Sequence, residues 1–133
     1  MNAVADAEER VDHFVEADGL RYAGAHLIVD MWGAGHLDDL GFIERALREA
    51  ADAAGATTLD ARLHHFSPNH GVTGVLILAE SHISIHTWPE HGFAAADIFM
   101  CGDCRPHDAV AVLRGAFAPE RVQVSELKRG VVS

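Results

Sequence analysis

Residues 25–32, AHLIVDMW, alternate along the chain: Leu27, Val29 and Met31 fall on one face, His26, Ile28 and Asp30 on the other. That period of two predicts a strand. From Asp38 to Ala54 the period lengthens. Leu40, Ile43, Leu47, Ala50 and Ala54 return near one face of a helix, with Asp38 or Asp39 to cap its start and Gly55 suited to the C′ position. Strand-like runs follow at 57–66, 72–79, 82–88 and 93–100, broken by Pro68, Gly71, Pro89 and Gly92. Asp103-Cys104-Arg105-Pro106 opens a second helix, proline being tolerated in a first turn, and Ala109, Val110, Leu113, Ala116 and Phe117 form its apolar set. RVQVSELK (121–128) predicts a last strand. Residues 1–20 are rich in Ala, Glu and Asp, with Val11, Phe14 and Val15 as anchors, and predict a frayed or weakly helical extension closed by Asp18-Gly19.

The order β-α-β-β-β-β-α-β, with short connections and two helices, predicts an α+β two-layer sandwich over residues 21–133. An antiparallel sheet would carry both helices on one face. Its other face then needs cover, which favours a partner subunit. A length of 133 residues fits one domain, and 49% hydrophobic residues suffice for a core. The net charge of -10 argues against nucleic acid or an anionic membrane as partner, since both call for clustered Lys and Arg. That charge is uneven: residues 1–80 hold fourteen acids and five bases, residues 81–133 six and five. The acidic N-terminus lacks the pattern of a signal peptide, and no run approaches the ~20 apolar residues of a membrane span. Two cysteines, three apart, are too few for a disulfide framework. These features predict a cytoplasmic protein with reduced thiols.

Chemistry concentrates in residues 79–91, AESHISIHTWPEH. If Ile83 and Ile85 are buried, His82, Ser84, His86 and Trp88 stand together on the opposite face. Such a row is either a solvated strand face or a site, and its place between the apolar runs VLILA and FAAADIFM favours a pocket. Cys101 and Cys104 form a C-x-x-C pair. Two small structural thiols, or a single catalytic one, fit this pair better than zinc, because no second C-x-x-C is present.

The segment ESHISIHTWPEHGFAAADIFMCGD closely resembles the signature of the prokaryotic S-adenosylmethionine decarboxylase proenzymes. The likeness runs from about His26 to Gly130, through HLIVD, LDDLGFIERALREAA, AAGAT, HHFSP, GVTGV and RVQVSELKRG. The resemblance implies that the chain cuts itself between Glu80 and Ser81, giving residues 1–80 and 81–133. Ser81 becomes a covalent pyruvoyl group, the self-made cofactor that forms a Schiff base with the substrate amine. It implies His86 as the proton carrier in processing, with Thr73 supplying the assisting hydroxyl, and Cys101 as the proton donor in decarboxylation. An imidazole with a reference pKa of ~6.5 suits the first task, and a thiol near ~8.5 the second. It implies Glu90 on the ribose hydroxyls and Phe66 on the adenine, no metal, and a homodimer. Cys104 has no counterpart role.

The implied product, decarboxylated S-adenosylmethionine, is the aminopropyl donor for spermidine and other polyamines. Several positions depart from the family pattern: Ala25, His65, Trp32-Gly33-Ala34, and one extra residue between Pro68 and Gly71. None touches Ser81, His86 or Cys101, but all could border a substrate pocket. Ornithine or arginine is therefore the alternative substrate.

Overall fold

The computed structural model describes residues 14–132. In chain order these form β1 (Val15–Ala17), β2 (Leu20–Tyr22), β3 (Gly24–Trp32), α1 (Leu40–Ala53), β4 (Thr58–His65), β5 (Val72–Leu78) and β6 (Ser81–Trp88). A single 3-10 turn at Pro89–His91, β7 (Phe93–Met100), α2 (Pro106–Phe117) and β8 (Arg121–Arg129) complete them. Six strands make one sheet in the order β4-β5-β6-β7-β3-β8, every neighbouring pair antiparallel.

Alternation decides which face is sealed. Leu27, Val29 and Met31 of β3, Ile83 and Ile85 of β6, and Ala94, Ala96 and Ile98 of β7 are buried in one core with α1 and α2. Helix α1 contributes Ile43, Ala46, Leu47, Ala50 and Ala51, the stripe its periodicity predicts. Asp39 caps it, accepting from the Phe42 backbone N–H at 3.0 Å, and Gly55 follows at φ 80. Helix α2 buries Ala109, Leu113 and Phe117, and Ala118 ends it in the left-handed conformation just before Pro119. The α+β sandwich with both helices on one face is thus the observed architecture.

Residues 15–22 differ from the predicted helical extension. They form an antiparallel ribbon, β1 against β2, that turns at Asp18 and Gly19 with φ of 53° and 79°. Asp-Gly is a hairpin turn pair, able to take positive φ at low cost. The ribbon's support comes from the far end of the chain, through a bridge between Arg21 and Val132, a partner that local composition does not reveal. The remainder of the predicted extension, residues 1–13, lies outside the described residues.

Thr87 is the buried polar residue among those described, 5% exposed. Its Oγ1 accepts from the Val72 backbone N–H at 2.8 Å and donates to the Leu37 carbonyl at 2.7 Å, tying β5, β6 and the segment before α1 together. A Thr87→Val change keeps the shape but leaves both backbone groups unpaired. It should cost about 1–3 kcal/mol in urea unfolding; a loss below about 0.5 kcal/mol would mean that the hydroxyl carries no such burden.

Candidate active site

Two groups of candidate site residues lie at opposite ends of β6. The first surrounds the two-residue turn Ala79-Glu80 between β5 and β6. Main-chain and side-chain bonds pin this turn to Thr57: the Ala79 N–H donates to the Thr57 carbonyl at 2.9 Å, and Glu80 Oε1 accepts from the Thr57 N–H at 3.0 Å. The Glu80 carbonyl oxygen in turn accepts from the Cys101 N–H at 3.2 Å and from the Cys101 Sγ–H at 3.1 Å. Two donors on one peptide oxygen polarise the carbonyl carbon and can stabilise negative charge developing there. Ser81 follows at φ 142, a region that a side-chain-bearing residue occupies at a cost on the order of 1–3 kcal/mol. Strain, a hydroxyl and an activated carbonyl therefore meet at the 80–81 peptide bond.

The second group sits at the other end of the strand. Thr73 on β5 and His86 on β6 are register partners, with Thr73 Oγ1 3.1 Å from His86 Nδ1. They line a cavity of about 470 Å³ with Arg62, His64, Val75 and Ser84. Phe66 lies beyond β4, exposed and edge-on to the His64 ring at 4.4 Å. Glu90, in the 3-10 turn after β6, receives Asn69 Nδ2 at 3.3 and 3.4 Å on its two oxygens. An aromatic row, Trp88, Phe93 and Trp32, extends this end across the sheet, with ring centres 5.5 and 5.6 Å apart and Arg121 stacked on Trp32. A larger cavity, about 920 Å³, lies between the β1–β2 ribbon and the tail and touches none of these groups.

Ser81, Glu80 and Cys101 are thus brought together, and so are Thr73 and His86. The two sets are not. Five residue steps of strand separate Ser81 from His86, roughly 17 Å at the usual rise.

Residues 25–130 match the model of the S-adenosylmethionine decarboxylase family. The chain belongs to that family. It is 44% identical over 114 residues to an S-adenosylmethionine decarboxylase proenzyme of Thermomicrobium roseum, covering 85% of this chain and 98% of that one. A proenzyme of the same name from Methanococcus maripaludis is 46% identical over 116 residues, covering 85% and 94%. The crystal structure of the adenosylmethionine decarboxylase from Aquifex aeolicus superposes with a TM-score of 0.77 at 37% identity, over 83% of this chain and 92% of that one.

Between the two ends of β6 lies a polar network that the sequence reading missed in part. His82 and Ser84 belong to the row it singled out, but their common partner Asp97 does not. Ser84 Oγ donates to Asp97 Oδ1, while His26 Nε2 and His82 Nε2 lie 2.6 and 3.0 Å from Oδ2. Arg129 donates to His26 Nδ1 at 3.0 Å. The only signal was one carboxylate inside the apolar run FAAADIFM, a position that burial forbids without donors.

The ligand-type atoms of His26, His82 and Asp97 lie within 4.8 Å of one another. Arg129, however, occupies the Nδ1 lone pair and leaves the proton of His26 on Nε2, where it is used on Asp97. That is a hydrogen-bond relay and not the free nitrogen lone pair that a metal needs. Cys104 stands apart from this network, its Sγ 3.9 Å from the Gly55 carbonyl. Burial, with Glu80 adding to it, pushes its thiol up to about 11.

Burial works to raise the Asp97 pKa, but the bonds from Ser84, His26 and His82 prevail and hold the carboxyl below its ordinary value. A lowered folded pKa stabilises the fold wherever the unfolded carboxyl is ionised, and that contribution is lost as pH falls through the folded value. Asp97→Asn should therefore flatten the acid limb of stability against pH, measured by urea unfolding from neutrality down to about pH 3. An unaltered acid limb would contradict this role.

Proposed function

We propose that this chain is a self-processing, pyruvoyl-dependent S-adenosylmethionine decarboxylase that acts as a cytoplasmic homodimer with shared active sites. The carrying observation is the Glu80 carbonyl held by two Cys101 donors next to Ser81 at φ 142. In processing, Ser81 Oγ attacks the Glu80 carbonyl carbon, and the charge gathering on its oxygen is taken by the Cys101 N–H and Sγ–H. Collapse breaks the C–N bond and leaves an ester. Removal of the Ser81 α-proton then expels the Glu80 carboxylate, and water replaces the nitrogen, which leaves as ammonia. Residues 1–80 and a pyruvoyl-capped 81–133 result.

A base must take the α-proton, and His86 of the same chain stands about 17 Å along the strand. A second copy supplies it. The helix-free sheet face fits that partner: it carries exposed Ile28, Ile77, Trp88 and Leu127 around the partly buried Asp97 network. His86 of the second copy, oriented by Thr73 at 3.1 Å, is then brought to the Ser81 end of the first. Among the described residues no helix is long and apolar enough to cross a membrane.

The residues fit a pyruvoyl group: a strained Ser81 with an activated bond before it and a thiol within reach. That group supplies a carbonyl that takes up the substrate amine and accepts the electron pair left by CO2. Cys101 returns the proton to the α-carbon. Glu90 and Phe66, at the His86 end, hold the ribose hydroxyls and the adenine, and a carboxylate among aromatic rings suits the sulfonium charge. The S-adenosylmethionine named by the relatives favours that substrate over ornithine or arginine, and its product donates aminopropyl groups in spermidine synthesis.

Substrate choice and self-processing each test this reading. Offered each substrate separately, the purified protein should release CO2 from S-adenosylmethionine; release from ornithine or arginine alone would reassign the substrate. Ser81→Ala and His86→Ala should each remain uncut when expressed singly. Co-expressed, the His86→Ala chain should be cut, because its partner lends a histidine; an uncut mixture would place both groups in one chain. Cys101→Ala should slow processing on the order of a hundredfold, the usual loss for one oxyanion donor.

A further inference from the structure

Cys104 takes no part in the chemistry above, yet the fold places it beside a residue that does. We propose that Cys101 and Cys104 form a reversible intramolecular disulfide when the protein meets a small-molecule disulfide such as oxidised glutathione, and that this bond switches decarboxylation off. The second half rests on the function proposed for Cys101; the first half stands on geometry alone.

Gly102 and Asp103 form a turn, with the two cysteines at its first and fourth positions. A turn of that kind keeps its end Cα atoms within about 7 Å. A disulfide spans roughly 4.4–6.8 Å between Cα atoms. Gly102, at φ 66, lets the turn tighten without a side-chain penalty. Glu80 also acts on both thiols, by a hydrogen bond on Cys101 and by its charge on Cys104. Cys101 Sγ lies 3.1 Å from its carbonyl oxygen, and the charges acting on Cys104 include those of Glu80 and Cys101. The 3.9 Å contact of Cys104 with Gly55 is at the outer limit for sulfur and is given up at little cost.

The order of events follows from the thiols. With its pKa pushed up to about 11, Cys104 is protonated at neutral pH and does not open the reaction. Cys101, as thiolate, attacks one sulfur of the small disulfide, forms a mixed disulfide and releases one small thiolate. That thiolate takes the Cys104 proton, and Cys104 attacks the Cys101 sulfur and expels the second small thiolate. In sum, two cysteine thiols and one small disulfide become one protein disulfide and two small thiols. The second step is slow because Cys104 ionises reluctantly, so the mixed disulfide builds up first. Once closed, the bond removes the Sγ–H that the Glu80 carbonyl uses before self-cleavage and the proton source that decarboxylation uses afterwards.

The test is intact mass of the purified full-length protein, and of its fragments where it is cut, during incubation with oxidised glutathione. The species bearing residues 101–104 should first gain one glutathione and then become two hydrogens lighter than at the start. Decarboxylation should fall in proportion and return with dithiothreitol. Cys104→Ser and Cys104→Ala should match the wild-type activity when reduced, yet stop at the mixed disulfide. A wild-type protein that stops there too, or that never reacts, would overturn the proposal. The mass change is read whether or not the protein decarboxylates S-adenosylmethionine, so failure of the switch and failure of the proposed activity are told apart.

Discussion

Strand β6 is paired with β7 along its whole length and with β5 from Ser81 to His86, and one of its faces is closed by α1 and α2. Its side chains therefore have two destinations only, the core or the helix-free face, and its ends cannot approach each other. That constraint organises the rest. Ile83 and Ile85 anchor the strand below; His82, Ser84 and His86 are forced above, onto the face where a second sheet can lie. Ser81 is caught where β6 begins, between a pinned turn and the end of β7, and its backbone takes the strain. The proposed bond cleavage is then a release of a conformation that pairing imposes on an ordinary serine.

The same constraint underlies the proposal that the site is a shared one. A single chain presents the Glu80 carbonyl, held by Cys101, at one end and His86, held by Thr73, at the other. Two sheets laid face to face in opposite senses bring unlike ends together. In this account the Asp97 network is the polar middle of that contact, with three donors satisfying one carboxylate.

Much of this was legible in the sequence, for identifiable reasons. Period two in β3 and β6 and the longer period in α1 report burial on one face, and both survive in the fold because each element packs against a single layer. Glu80, Ser81 and Cys101 were named from a long ordered motif, and the hydrogen bonds linking Cys101 to Glu80 give that naming a geometry. What sequence could not show depends on distant partners. The β1–β2 ribbon leans on Val132, Asp97 collects groups from β3 and β6, and Asn69 reaches Glu90 from another loop. Nothing in the motif revealed that Ser81 and His86, five residues apart in the chain, would stand at opposite ends of a rigid strand.

The acidic excess of residues 1–80 ends where the proposed cut falls, so cleavage would separate a strongly acidic fragment from a nearly neutral one held in the same sheet. The most direct measurement of the central claim is the intact mass of the purified wild-type protein under denaturing conditions. The account predicts two species: residues 1–80 with a free carboxyl end, and residues 81–133 whose first residue carries a ketone in place of an amine and resists Edman degradation. A single uncut chain, or a C-terminal fragment that begins with an unaltered serine, would contradict it.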